Sequence, residues 1–161
     1  MVCVVISVGT NIDRENNLKA ALAALRHTYG ALRMSPVFSN PAVGFTGPEF
    51  YNLVVSFETT QTVTEVTTFL HGVEANQGRT RQGDRLDSRE LDLDLLLYGD
   101  VVAKSIPRDE IERYAFVLRP LAELAPEVRH PLSGISMRTL WARFDASSEQ
   151  LSQVQVEFAC A

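Results

Sequence analysis

Two aspartates, Asp92 and Asp94, stand in the segment "RELDLDLLLYGD" (89–100), and four arginines, Arg79, Arg81, Arg85 and Arg89, precede them within eleven residues. Residues two apart in a strand share a face. Glu90, Asp92 and Asp94 are therefore expected on one side, and Leu91, Leu93, Leu95 and Leu97 on the other. The rise per residue sets the two aspartates about 7 Å apart. Side-chain reach then lets both grip one cation, or two ions at the roughly 4 Å spacing of two-metal sites. Guanidinium groups match phosphate oxygens bidentately, and Mg2+ held by carboxylates bridges the same phosphates. Arginines beside paired acids thus describe, in charge terms, a phosphoryl-transfer site. The bland alternative is a solvated loop of mixed charge, worth little energetically, running into an exposed sheet face. Spacing alone leaves both open.

Other candidates carry less. His71 lies three residues before Glu74, so the two could share a helix face and reach a ligand or simply pack. His27 and His130 read as surface or structural. Phe45 and Phe50, with Pro41 and Pro48, could line a planar pocket or pack a loop. The sequence holds no G-x-x-x-x-G-K-[ST], no G-x-S-x-G and no H-E-x-x-H. A nucleotide here would have to be held by something other than a Gly-rich phosphate loop.

The elements that must position these groups follow from periodicity. Val2 to Val8 is a β-branched run suited to a buried strand, with Gly9 expected to stop it. A helix follows over "RENNLKAALAALRHTYG", capped by Asn11 or Asp13, striped by Leu18, Leu22 and Leu25, and ended by Gly30. A second strand is predicted near "LRMSPVFSN", a Pro- and Gly-dense loop over "NPAVGFTGPE", and a third strand over "FYNLVVSFE". Thr62 to Glu65 is a capping box opening a second helix that stops at Gly78. The strand 91–98 comes next, then short helical pieces over "RDEIERYAFVLRPLAELAP" and after Ser136. The tail "VQVEFA" reads as a last strand or as disorder. The order is β-α-β-β-α-β, an α+β ferredoxin-like core with additional C-terminal helices. One domain over 1–161 is expected from length and the lack of a linker or repeat.

Bulk properties bound the function. The chain of 161 residues carries a formal charge of −5, which argues against a nucleic-acid backbone as its main partner. The two cysteines, Cys3 and Cys160, sit at opposite ends with no Cys-x-x-Cys, so neither a disulfide framework nor a zinc site is expected. No run approaches the roughly 18 apolar residues of a membrane span. These features predict a cytoplasmic protein with no membrane, nucleic-acid or obligate protein partner.

Taken together the motifs resemble the 6-hydroxymethyl-7,8-dihydropterin pyrophosphokinase family of folate biosynthesis. The resemblance runs in order from residue 2 to about 130, through "VGTN", "FSNPAVG", "PEFYNLVV", "VEANQGRTR", "RELDLDLLLYGD" and "FVLRPLAELAP". It implies pyrophosphate transfer from ATP to a pterin hydroxymethyl group, releasing AMP, with two Mg2+ ions. Carried over by position, it makes Asp92 and Asp94 the metal ligands and, with Arg79 and Arg89, the catalytic set. His71, Glu74, Arg79, Arg81, Arg89, Leu95 and Arg108 would surround ATP. Asn40, Pro41, Val43, Phe50, Asn52 and Phe116 would form the pterin pocket, and closure of the 79–90 loop over ATP is expected to exclude water. The chain departs from the family's pattern at three places. Arg108 stands where a phosphate-contacting histidine is usual and cannot act as a general acid near neutral pH. Leu86 to Ser88 replace the aromatic cover and Gly-Pro turn of its loop. Tyr114 replaces a common arginine. The competing reading is a pterin- or nucleotide-binding paralogue with altered substrate or little turnover.

Overall fold

The computed structural model describes residues 1–41, 47–77, 91–147 and 149–156. Along the chain these form β1 (Val2–Thr10), α1 (Arg14–Tyr29), β2 (Arg33–Met34), β3 (Val37–Asn40), β4 (Phe50–Thr59) and α2 (Val63–Asn76). They are followed by β5 (Asp92–Tyr98), α3 (Glu110–Arg113), α4 (Ala115–Leu124), α5 (Met137–Arg143) and β6 (Ser152–Val154). The expected positions Val43, Phe45, Gly78, Arg79, Arg81, Arg85 and Arg89 lie outside the described residues, as does the loop closure expected of 79–90.

One sheet of order β5-β1-β4-β3-β6, with β2 also on β4, holds the strands together, and every pairing is antiparallel. Helices cover both faces. Leu18, Leu22 and Leu25 of α1 and Val66, Leu70 and Val73 of α2 pack with Val4, Ile6, Val8, Leu53 and Val55 on one face. Ile111 of α3, Val117, Leu118 and Leu121 of α4 and Met137 of α5 pack with Val5 and Val54 on the other. Burial on both faces explains why β1 reads as a continuous apolar run rather than an alternation.

Local chemistry fixes most boundaries. Thr62 Oγ1 accepts from the Glu65 amide at 3.2 Å and the Glu65 carboxylate accepts from the Thr62 amide at 2.8 Å, so the capping box is complete. Gly30 ends α1 at φ 80°, a conformation that costs glycine little. Asp13 takes the N-cap position of α1, but its side chain caps no amide and instead accepts from Asn16 Nδ2 at 3.1 Å. Ser136 Oγ caps α5 by accepting from the Thr139 amide.

Four expectations are corrected. Gly9 does not stop β1, which continues to Thr10. The single strand expected at 32–40 is two, because Pro36 has no N–H to pair. Ser35 fills the break, exchanging bonds with Val54 through its amide and its Oγ, both at 2.9 Å. The last strand lies at Ser152–Val154, ahead of most of the predicted segment, and pairs with β3. Finally, Leu97 does not share a face with Leu91, Leu93 and Leu95. Val5 pairs with Leu97 and Ile6 with Leu95, so Leu96 is an extra residue, a β-bulge that reverses the alternation. Leu91, Leu93 and Leu95 face α1 and α2, whereas Leu96 and Leu97 join the opposite core. Among the described residues no helix is long and apolar enough to cross a membrane.

Candidate functional site

Three strands lying side by side build the floor. Gly9 of β1 pairs with Asn52 of β4 on one side and Asp92 of β5 on the other. One row further in, Ser7 pairs with Val54 and with Asp94. Directly paired residues of an antiparallel sheet share a face, so Asn52, Asp92 and Asp94 rise from the face that is apolar beneath α4. Leu91, Leu93 and Leu95, alternating with the aspartates, anchor β5 to the α1/α2 core, as the alternation predicted.

A cavity of about 150 Å³ opens over this floor. Ser7, Gly9, Asn52, Asp92 and Asp94 line its base, Asn40 and Phe50 one flank, and Glu110, Phe116 and Val117 the other. Asn52 and Asn40 are buried, and Asn52 Nδ2 donates to Asn40 Oδ1 at 2.5 Å while Asn40 Nδ2 donates to the Pro41 carbonyl at 2.9 Å. A Cβ on residue 9 would lie 2.5 Å from Asn52 Oδ1. Glycine there lets the Asn52 amide lie across β1. Phe116 stacks on Tyr114, with ring centroids 4.9 Å apart and planes at 20°. Two phenylalanine rings and carboxamides suit a flat heterocycle with an amide-like edge.

A second cavity, about 250 Å³, lies along the outer edge of β5. Thr67, Leu70 and His71 of α2, Leu93 to Leu95, and Lys104, Ser105, Ile106 and Arg108 line it. Asp94 lines both cavities. Arg108 stands at their junction, with Nη2 3.4 Å from Asp94 Oδ1 and Nε on Glu110 Oε1. Partial burial works against the Arg108 charge, but the Glu110 hydrogen bond and the carboxylates of Asp94, Glu110 and Asp92 outweigh it and raise its pKa above the usual value.

The candidates predicted from sequence therefore fall into groups. Asn40, Phe50, Asn52 and Phe116 meet at the first cavity; His71, Leu95 and Arg108 meet at the second; Asp92 and Asp94 lie at the first, Asp94 joining both. Pro41 contributes its carbonyl to Asn40 and is exposed. Glu74 lines neither cavity. It is buried under β5, and its Oε2 accepts from the Leu93 amide at 2.7 Å. That bond satisfies an edge-strand N–H between the two aspartates, so Glu74 fixes their backbone. Ser7, Glu110, Val117, Thr67, Lys104, Ser105 and Ile106 were not anticipated. Ser7 carried a signal, as a polar residue two before Gly9 in an apolar run; the others become neighbours only through the tertiary fold.

Two hard carboxylates on one strand face are the donor set that Mg2+ takes, completing its shell with phosphate and water. Among the described residues no group of three His, Cys, Asp or Glu side chains forms a metal cage on its own. The chain's chemistry fits an ion delivered with, and shared by, phosphates.

The sequence matches the family described as 7,8-dihydro-6-hydroxymethylpterin-pyrophosphokinase (HPPK) over residues 5–126. It is 33% identical over 136 residues to the 2-amino-4-hydroxy-6-hydroxymethyldihydropteridine pyrophosphokinase of Pseudomonas aeruginosa, covering 80% of this chain and 83% of that one. Against the enzyme of that name from Aquifex aeolicus it is 30% identical, over 82% of this chain and 86% of the other. An HPPK-DHPS structure from Plasmodium falciparum superposes with a TM-score of 0.70 at 14% identity, over 88% of this chain, a likeness of fold. The chain spans about two-fifths of that longer protein, 41% of its length. The order of motifs, the meeting of both cavities at Asp94 and these matches converge: the chain belongs to the HPPK family, whose members transfer pyrophosphate from ATP to hydroxymethyldihydropterin in folate synthesis.

Proposed function

We propose that this chain performs the family's transfer at the junction of its two cavities, with the pterin in the first and ATP in the second. The observation that carries this reading is Asp94, which lines both. The strand order β5-β1-β4-β3 supports reading the core as ferredoxin-like, with the C-terminal helices closing the pterin side.

In this reading Phe50 and Phe116 sandwich the ring and the Asn52 and Asn40 carboxamides meet its amide edge. The hydroxymethyl oxygen is thereby aimed across Asp92 and Asp94. The new bond joins that oxygen to the β-phosphorus of ATP as the hydroxyl proton passes to solvent; the bond broken is the bridge to the α-phosphate, and AMP leaves with the bridging oxygen. Asp92 and Asp94 would hold Mg2+, which would supply charge neutralisation at the phosphates. Arg108 adds a guanidinium at the phosphate end; the phosphate roles that the resemblance gives Arg79, Arg81 and Arg89 fall outside the described residues. Nothing here requires a covalent nucleophile, since positioning and charge stabilisation carry phosphoryl transfer.

Incubation with Mg-ATP and 6-hydroxymethyl-7,8-dihydropterin, followed by nucleotide separation, tests the reading. Pterin-dependent AMP is expected. ADP would mean ordinary kinase chemistry, and tight pterin binding without any AMP would favour a binding paralogue.

A further inference from the structure

Resting on that reading, the ion pairs at the cavity junction carry one step more. Arg108 is shared between two carboxylates of different standing. Its Nε is bonded to Glu110, while its Nη2 lies 3.4 Å from Asp94 Oδ1, a longer and looser contact. The two side chains of the Asp94 contact are each about a third exposed, 35% and 30%, so the guanidinium can turn without being dug out of a core. Glu110 lines the first cavity and Arg108 the second, which sets the pivot on the wall between them.

We propose that Arg108 is an exchangeable counter-ion. With no ligand bound, its Nη2 neutralises Asp94. When a divalent cation and a polyphosphate arrive together, the cation takes Asp94 and Nη2 turns to a phosphate oxygen, with Nε kept on Glu110. The exchange conserves charge pairing at every stage. It also makes Arg108 a competitor of the metal alone and a helper of the metal–nucleotide complex. A divalent ion without phosphate must displace the guanidinium and leave it facing the cavity. A divalent ion with phosphate supplies it with a new anion. Glu110 is the positioning residue that keeps the guanidinium within reach of both.

Opposite signs make this testable. Mn2+ binding without nucleotide, read by electron paramagnetic resonance, is expected to tighten about two- to fivefold in Arg108→Met, the range of a partly exposed ion pair. Affinity for the non-transferable α,β-methylene analogue of ATP with Mg2+ is expected to weaken roughly tenfold or more in the same variant, as loss of a charged hydrogen bond requires. Arg108→Lys, which keeps the charge but not the fork, should lie between wild type and Arg108→Met in both assays. Glu110→Gln should weaken the nucleotide without tightening Mn2+.

Unchanged or weaker Mn2+ binding in Arg108→Met would overturn the exchange, as would weakening or tightening of both ligands together. Asp94→Asn in the Arg108→Met background separates this from the parent reading. Loss of the gained Mn2+ affinity keeps Asp94 as the ligand; its survival would remove Asp94 from the metal site altogether.

Discussion

Val5 and Val54, with Leu96 and Leu97 beside them, lie on the same sheet face as Asn52, Asp92 and Asp94 along the same three strands, Val54 in the row of Ser7 and Asp94. The first group is sealed under Leu118, Leu121 and Met137, and Val54 has no exposed surface. The second opens into the cavities. The β1–β4 pairing runs without a shift through both halves, and the β1–β5 register shifts once, at Leu96. What differs is side chains: apolar ones attract a helical cover through the hydrophobic effect, and polar ones at the strand ends leave a floor that a ligand must cover. A binding site here is a sheet core whose last rows have been made polar.

Breaking the sealed half should have the largest cost. Val54→Asp carries a carboxylate across the row of Ser7 and Asp94 to the position under α4, where it is packed among apolar side chains. Urea unfolding should register a loss of about 3–5 kcal/mol, the penalty of an uncompensated buried charge. A variant near wild-type stability would mean that α4 lifts easily, and that the two halves differ less than their packing indicates.

Gly9→Ala sharpens the comparison inside the open half. Its Cβ would fall 2.5 Å from Asn52 Oδ1, so the amide must swing away from Asn40. Overpacking of this kind costs about 1–3 kcal/mol, and pterin affinity measured by ligand fluorescence should fall in step. Glu74→Ala tests the support beneath the floor. Leaving the Leu93 amide without its carboxylate should cost about 1–3 kcal/mol, the penalty of an unsatisfied buried donor. A fall in nucleotide affinity with stability intact would instead return Glu74 to direct ATP contact.

Much of this was legible in the chain because it is local. The capping box needs only Thr62 and Glu65 at the right spacing, and the first part of β5 announces itself by strict alternation. The Leu96 bulge left no mark, because four consecutive leucine or tyrosine residues read the same with or without an extra one. The break at Ser35–Pro36 was hidden by flanking residues that suit a strand. β6 is a three-residue edge strand with mostly exposed side chains, so it has no apolar periodicity to find. At the site, Asp92 and Asp94 were found from their two-residue spacing on a strand, and Asn52 and Phe116 through motif resemblance. Glu110 and Lys104 were not, since their proximity to Asp94 depends on how the chain after β5 turns back, through the cis Ile106–Pro107 bond, onto the sheet.

In the proposed function the open half of the face divides its labour, with Asn52 and the aromatic rings holding the pterin and Asp94 serving the phosphates. Asp94→Ala tests it most directly, with AMP formation and pterin binding measured on the same protein. Turnover should fall on the order of a hundred- to a thousandfold, as when a group that stabilises charge in the transition state is removed, while the pterin dissociation constant stays within about threefold, because Asn40, Asn52 and the two phenylalanines that hold the ring are left in place. Retained AMP formation, or loss of pterin binding in a folded variant, would contradict that division.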